Sequence, residues 1–184
     1  MAYSNGKYFG ETRLGNTFIG STAAAGTAYP ITTGTAATFG LWNTSPNKLA
    51  VLHKLTVGFT SGTIALGTVG LIHVQATTVA TGSNITAFTD GVLGTTIRNG
   101  VLGGGGGSSM RFTPSAATIV GSTCCYWTGI AHEGATGVGP STAPVSHDFD
   151  GDLIIPYGHA VFVGGSIAQT GLFSMSLVWS EIPA

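Results

Sequence analysis

Charge is what this chain has least of. Asp, Glu, Lys and Arg make up only 7% of its 184 residues, six cations against seven anions, for a formal net charge of −1. An average soluble domain carries about 25%. Six cations spread along the whole chain cannot form the basic stripe that neutralises phosphates, so a nucleic-acid partner is excluded. The shortage of Glu, Lys and Arg also excludes a coiled coil or a polar-surfaced helical bundle. Cysteine is nearly missing. Cys124 and Cys125 are adjacent and on a strand would point to opposite faces, which excludes a disulfide framework. No stretch reads as a spanning helix. The most apolar window, 159–179, carries His159, Gln169, three serines and Gly164-Gly165, and its second half alternates polar with apolar. No membrane partner is expected. The first fifteen residues have no apolar segment, so synthesis in the cytosol without a secretory leader is expected.

What the chain has instead is glycine, small hydroxyl residues and bulky apolar side chains. Glycine supplies 30 residues, and 43% of the chain is hydrophobic, which excludes charge-driven disorder. Collagen is excluded because no Gly-X-Y period runs through the sequence.

Residues 1–37 read differently from the rest. From Gly15 to Ala37 there are few bulky side chains and no sustained period. The segment is read as an extended N-terminal arm laid on a neighbour, anchored by Tyr3, Tyr8, Phe9, Phe18, Ile19 and Tyr29. From Thr38 the period is two. In Lys48–Val57, Leu49, Val51, His53, Leu55 and Val57 share one face, and Lys48, Ala50, Leu52, Lys54 and Thr56 the other. A turn at Thr60-Ser61-Gly62 leads to a second strand over 63–76. Residues 81–109 are rich in loop signals and contain five consecutive glycines at 103–107. Further strands are predicted at 110–113, 117–120, 124–131, 145–149, 152–156, 159–165 and 170–182, with a loop over 132–144. No stripe of helical period follows a capping signal. About eight strands with short links and long loops predict an all-β, antiparallel β-sandwich of the jelly-roll type over 38–184.

The densest titratable cluster is His147-Asp148-Phe149-Asp150-Gly151-Asp152, with His159 close behind. In an extended segment Asp148, Asp150 and Asp152 would share a face and are candidate calcium ligands, the one cofactor considered. The competing reading makes Asp150-Gly151 and Pro156-Tyr157-Gly158 turns flanking a strand. Gly151, Pro156, Gly158 and His159 fit part of the second cupin motif. The first motif, His-x-His followed by Glu, is missing, and His53 and His73 lie on separate strands, so a cupin metal centre is not expected. Cys124 and Cys125 lack an activating context and read as packing residues. There is no Gly-x-Ser-x-Gly, the glycine run lacks the Lys-Ser/Thr of a phosphate loop, and no carboxylate pair suits glycoside hydrolysis. No enzyme is expected. Trp42, Trp127, Trp179 and Tyr157 offer rings that could stack on a sugar. The three tryptophans sit in strand patterns, which favours core or interface positions.

Three segments, 40–58, 149–163 and 170–184, give the chain a resemblance to small jelly-roll proteins of bacteriophage virions: head-decoration (cement), fibre or tail-associated modules. The resemblance implies a structural protein of the virion that associates with copies of itself, as a trimer, and with a major capsid protein or another virion protein. Scarce charge agrees with a surface covered by neighbours. Tyr3, Tyr8, Phe9, Phe18, Ile19, Tyr29, Trp42, Tyr157 and Trp179 are the interface candidates. The alternative from another class is a carbohydrate-binding or host-attachment module of a tail or fibre.

Overall fold

The computed structural model describes residues 8–75, 84–102, 106–120, 123–132 and 145–184. Among the described residues one short helix, α1 (Phe9–Arg13), precedes thirteen strands. They are β1 (Thr17–Ser21), β2 (Ala36–Ala37), β3 (Gly40–Trp42), β4 (Lys48–Ser61), β5 (Gly67–Gln75), β6 (Ile85–Phe88) and β7 (Ile97–Asn99), followed by β8 (Arg111–Thr113), β9 (Ala117–Ile119), β10 (Thr123–His132), β11 (Val145–Ile155), β12 (His159–Gly165) and β13 (Leu172–Pro183). All strand pairings are antiparallel. One sheet runs β11-β4-β13-β1-β7, a second β10-β5-β12-β3-β8, and a small third β2-β9-β6.

The order identifies the architecture. Take β1, β3, β4, β5, β10, β11, β12 and β13 as strands one to eight. The first sheet then holds six, three, eight and one; the second holds five, four, seven and two. That is the doubled Greek key of a jelly roll. The segment between β5 and β10, residues 76–122, is an insertion. It supplies β7 and β8 to one edge of each sheet, and β6 and β9 to the third.

The structure corrects the boundary at residue 37. Residues 1–7 of the expected arm lie outside the described residues, but 17–21 are no arm: β1 is the first strand of the jelly roll, hydrogen-bonded to β13 on one side and β7 on the other. Phe18 and Tyr29 are core residues. The loop from Thr22 to Thr32 runs over the end of the sandwich, with Thr22, Thr27 and Thr32 amides donating to Met175, Phe173 and Gly165 carbonyls. The reason the sequence hides this strand is Gly20. A Cβ there would lie 2.4 Å from the Phe112 ring, so glycine leaves room for an aromatic donated by the insertion, and Phe18 is the one bulky residue that marks the core face of β1.

Alternation in β13 is as the sequence implies, with Phe173, Met175, Leu177 and Trp179 all buried. In β4 the faces switch. Ala50 and Leu52 point inward, but so do Leu55 and Val57, because the register slips where Val178 pairs Lys54 and Trp179 pairs Leu52. His53 is the extra residue of that bulge, and it reverses the phase. Residues 145–156, read as two strands, form one, with Asp150 (φ 56°) and Gly151 (φ 84°) in a bulge between Asp148 and Leu153.

Two cores result. The main one lies between the two large sheets, where Trp179 stacks on Phe18 and Phe112, each 5.9 Å away. At the sandwich end, Tyr29, Phe59, Phe173 and His132 pack together. The second core covers the outer face of the β5–β12 sheet, where Ile72, Val74, Trp42 and Phe162 meet Ile85, Ala117 and Ile119 of the small sheet. Burial on both faces explains the near-continuous apolar runs in β5 and β12. On the opposite edge, Tyr126 of β10 reaches His147 and Phe149 of β11 and stitches the sheets together.

Two predictions follow from this packing. Gly20→Ala forces the Phe112 ring out of its seat and is expected to cost about 3 kcal/mol, the upper end for overpacking, read as a lower urea midpoint at unchanged m-value. His132 is buried among aromatic rings, and desolvation holds it below the ordinary histidine value of 6.5. A histidine lowered in the folded state stabilises above its unfolded pKa and loses that contribution as pH falls below it. Stability is therefore expected to drop below about pH 6.5, with a limiting slope of about 1.4 kcal/mol per pH unit per proton. His132→Phe should flatten the dependence in thermal melts between pH 7.5 and 5.

Candidate functional site

Nine residues carry the interface expectation, and the structure divides them. Phe18, Tyr29, Trp42 and Trp179 are buried in this chain's own cores, which removes them as docking residues. Their bulk fills the sandwich and not a neighbour. Tyr3 lies outside the described residues. Phe9 and Tyr157 are exposed, and Ile19 is half-buried on β1. Tyr8 is half-buried: its ring stacks on His53 at 3.9 Å and its hydroxyl donates to Asp148 Oδ1 at 2.5 Å. Desolvation, helped by Asp148, pushes that phenol up to about 12.

The three aspartates do not converge. The β11 bulge breaks the alternation that would align them. Asp148 accepts from Tyr8 and from the Asp150 amide, and Asp152 points to solvent. Among the described residues no group of three or more His, Cys, Asp or Glu is placed to hold a metal ion. Cys124 and Cys125 are free thiols at a β10 bulge. The Cys125 sulfur lies 3.4 Å from the Leu71 carbonyl, and desolvation around it pushes the thiol up to about 11, far from a nucleophilic thiolate.

Three polar clusters escape a linear reading. On the outer face of the first sheet, His53 Nε2 and Ser180 Oγ share a hydrogen bond of 2.7 Å, Ser180 meets Thr17 at 3.0 Å, and Thr17 meets Thr12 at 3.2 Å. Ser180 and His53 are buried with Tyr8 across the imidazole, so this serine–histidine pair is closed to substrate. It fastens the N-terminal segment to the sheet. The only sign in the sequence is a histidine among β-branched and leucine neighbours.

The second cluster centres on Glu181, 2% exposed. It accepts from Lys48 Nζ at 3.1 Å, Ser108 Oγ at 2.5 Å and the Ser109 amide at 3.0 Å. A strand-end glutamate next to Ser180 reads as solvent-facing; only the fold brings the insertion's glycine-rich return over it. In the third cluster, His73 Nε2 and His159 Nδ1 lie 2.8 Å apart on β5 and β12. Burial and the neighbouring ring hold His73 below the ordinary range.

The exposed apolar side chains are grouped. Leu14, Val92, Leu93, Val101 and Leu102 are exposed and flank β7. The Val92 carbonyl accepts from Ile97, Leu93 bridges Ile97, and Asn99 reaches the Gly15 carbonyl. At the opposite end, Ile31, Leu66 and Ile167 are exposed around Gly165 and Gly67. On the second sheet Trp127, 47% exposed, lies over Gly70, where a Cβ would come within 2.8 Å of the ring. Comparison of the chain with protein-family models, with curated proteins and with solved structures found no match.

Glu181→Ala leaves Lys48 and the Ser109 amide without their acceptor. The expected cost is about 3 kcal/mol, the low end for breaking a buried charged network. Faster hydrogen exchange at the Ser109 and Met110 amides, ahead of global unfolding, distinguishes a loosened insertion from general destabilisation.

Proposed function

We propose that this chain is a non-enzymatic structural protein of a bacteriophage virion, a capsid decoration or cement protein that associates with its own copies and with the shell. The observation that carries the reading is the grouping of Leu14, Val92, Leu93, Val101 and Leu102 around β7 in a chain with thirteen charged residues. Exposed apolar side chains gathered along one edge mark a contact surface more often than singly scattered ones do. Fold alone does not decide function, but the resemblance to virion jelly rolls and the jelly-roll strand order point the same way. The contact surface assigned here is the β7 flank and not an N-terminal arm. Each copy would bury apolar area worth roughly 25 cal/mol per Å², multiplied by the symmetry of a particle.

A second reading, a carbohydrate-binding or host-attachment module, is favoured by one observation. Trp127 and Tyr157 are aromatic side chains left about half exposed, at 47% and 48%, and exposed aromatic rings can stack on sugars. It places the ligand against Trp127 on the second sheet or Tyr157 in the β11–β12 turn and predicts monomers.

Light scattering of the purified chain separates the two. The assembly reading expects a stable oligomer, a trimer by the resemblance, that dissociates in Leu93→Ser/Leu102→Ser with little change in melting temperature. A monomer at high concentration, together with retention on a glycan array lost in Trp127→Ala, overturns it in favour of the second.

A further inference from the structure

We propose that His73 and His159 form a bidentate site for a divalent transition metal, Cu²⁺ ahead of Ni²⁺ or Zn²⁺. The two imidazoles sit on neighbouring antiparallel strands, β5 and β12, two residues out of direct register and therefore on the same face: His159 faces Gln75, and His73 faces Val161. Their rings are nearly parallel (16°) with centroids 5.1 Å apart, and Nε2 of His73 and Nδ1 of His159 are separated by 2.8 Å. Two imidazole nitrogens bound cis to one metal at about 2.0–2.1 Å are themselves about 2.8–3.3 Å apart, so the observed spacing is already that of the ligand edge. The square-planar end of that range is the one met, which is the preference of Cu²⁺ and Ni²⁺.

The backbone part of the site is rigid. β5 and β12 are central strands of their sheet, paired along their whole length and covered on the outer face by the small sheet. Both histidines are only partly buried, so solvent can fill the remaining coordination positions. Binding requires no change in ring charge. In the free pair one ring donates its N–H to the other. In the metal complex each neutral ring keeps its single proton on the nitrogen that faces away, and both facing nitrogens offer lone pairs. The terminal histidine torsion is broad, so the rings can swing until those lone pairs meet. His53 and His132 are buried, and His147 is held by Tyr126, which leaves this pair as the accessible imidazole chelate among the described residues. A metal here would tie β5 to β12 where the insertion leaves the sandwich, and would raise stability by mass action.

The test uses CuCl₂ as the probe and the full chain carrying Cys124→Ser and Cys125→Ser, so that thiols neither reduce nor capture the ion. One Cu²⁺ per chain is expected, with electron paramagnetic resonance showing two imidazole nitrogens and a raised melting temperature. His73→Gln and His159→Gln should each weaken binding at least tenfold, while His147→Gln leaves it unchanged. Undiminished binding in the His73→Gln/His159→Gln double variant, or a spectrum with fewer than two imidazole nitrogens, overturns the site. If the variants fail to fold, sub-stoichiometric Cu²⁺ in the chain with its histidines intact should broaden the His73 and His159 imidazole resonances before those of the other histidines, and broadening that begins elsewhere overturns it equally.

Discussion

The whole sandwich depends on one aromatic residue that comes from outside the eight jelly-roll strands. Phe112 belongs to the insertion between β5 and β10, yet its ring lies against Trp179 in the last strand, meets Phe39 edge-on at 5.1 Å, and occupies the space that Gly20 leaves in the first strand. Interiors are packed to crystal-like density, so a ring this size is either accommodated by its neighbours or displaces them. Gly20 and Trp179 are the accommodation. The insertion is thus part of the core and not a decoration on it, and β8 extends the second sheet because Phe112 must be delivered there.

How much of this can be read in the sequence follows from what each residue has to do. β13 is legible because one face is uniformly bulky and the other uniformly small. β1 is not, because its core face includes Gly20, which serves by being empty. β4 is legible as a strand, but the bulge at His53 reverses its faces, and nothing in a period of two announces an extra residue. The candidate sites fared worse. Asp148, Asp150 and Asp152 line up on paper and are scattered by a positive-φ turn. His73 and His159 are 86 residues apart and become partners only because the jelly roll seats β12 beside β5. Glu181 looks like a surface carboxylate until the insertion folds back across it.

The few charges are used with economy. Glu181 ties the last strand, the start of β4 and the return of the insertion to one carboxylate. Arg111 pairs with both oxygens of Asp90, at 2.8 and 2.7 Å, while its guanidinium lies 4.9 Å from the Trp42 ring and 4.7 Å from Phe88. Such a planar fork stacks and pairs at once, which a lysine would not do. Both clusters fasten the insertion. Elsewhere the surface relies on Thr, Ser and Gly, which hold water without repelling a neighbour of the same kind.

The pairing of β1 with β13 has a mechanical consequence. Thr17 lies opposite Ser180 and Ser21 opposite Ser176, so the chain enters and leaves the sandwich side by side at one end. Tension applied through those two ends would peel the strands apart one rung at a time, a weak direction. A pull spread across the broad sheets would instead load many rungs together, so any tether that is to bear force on this protein has to grip its flanks.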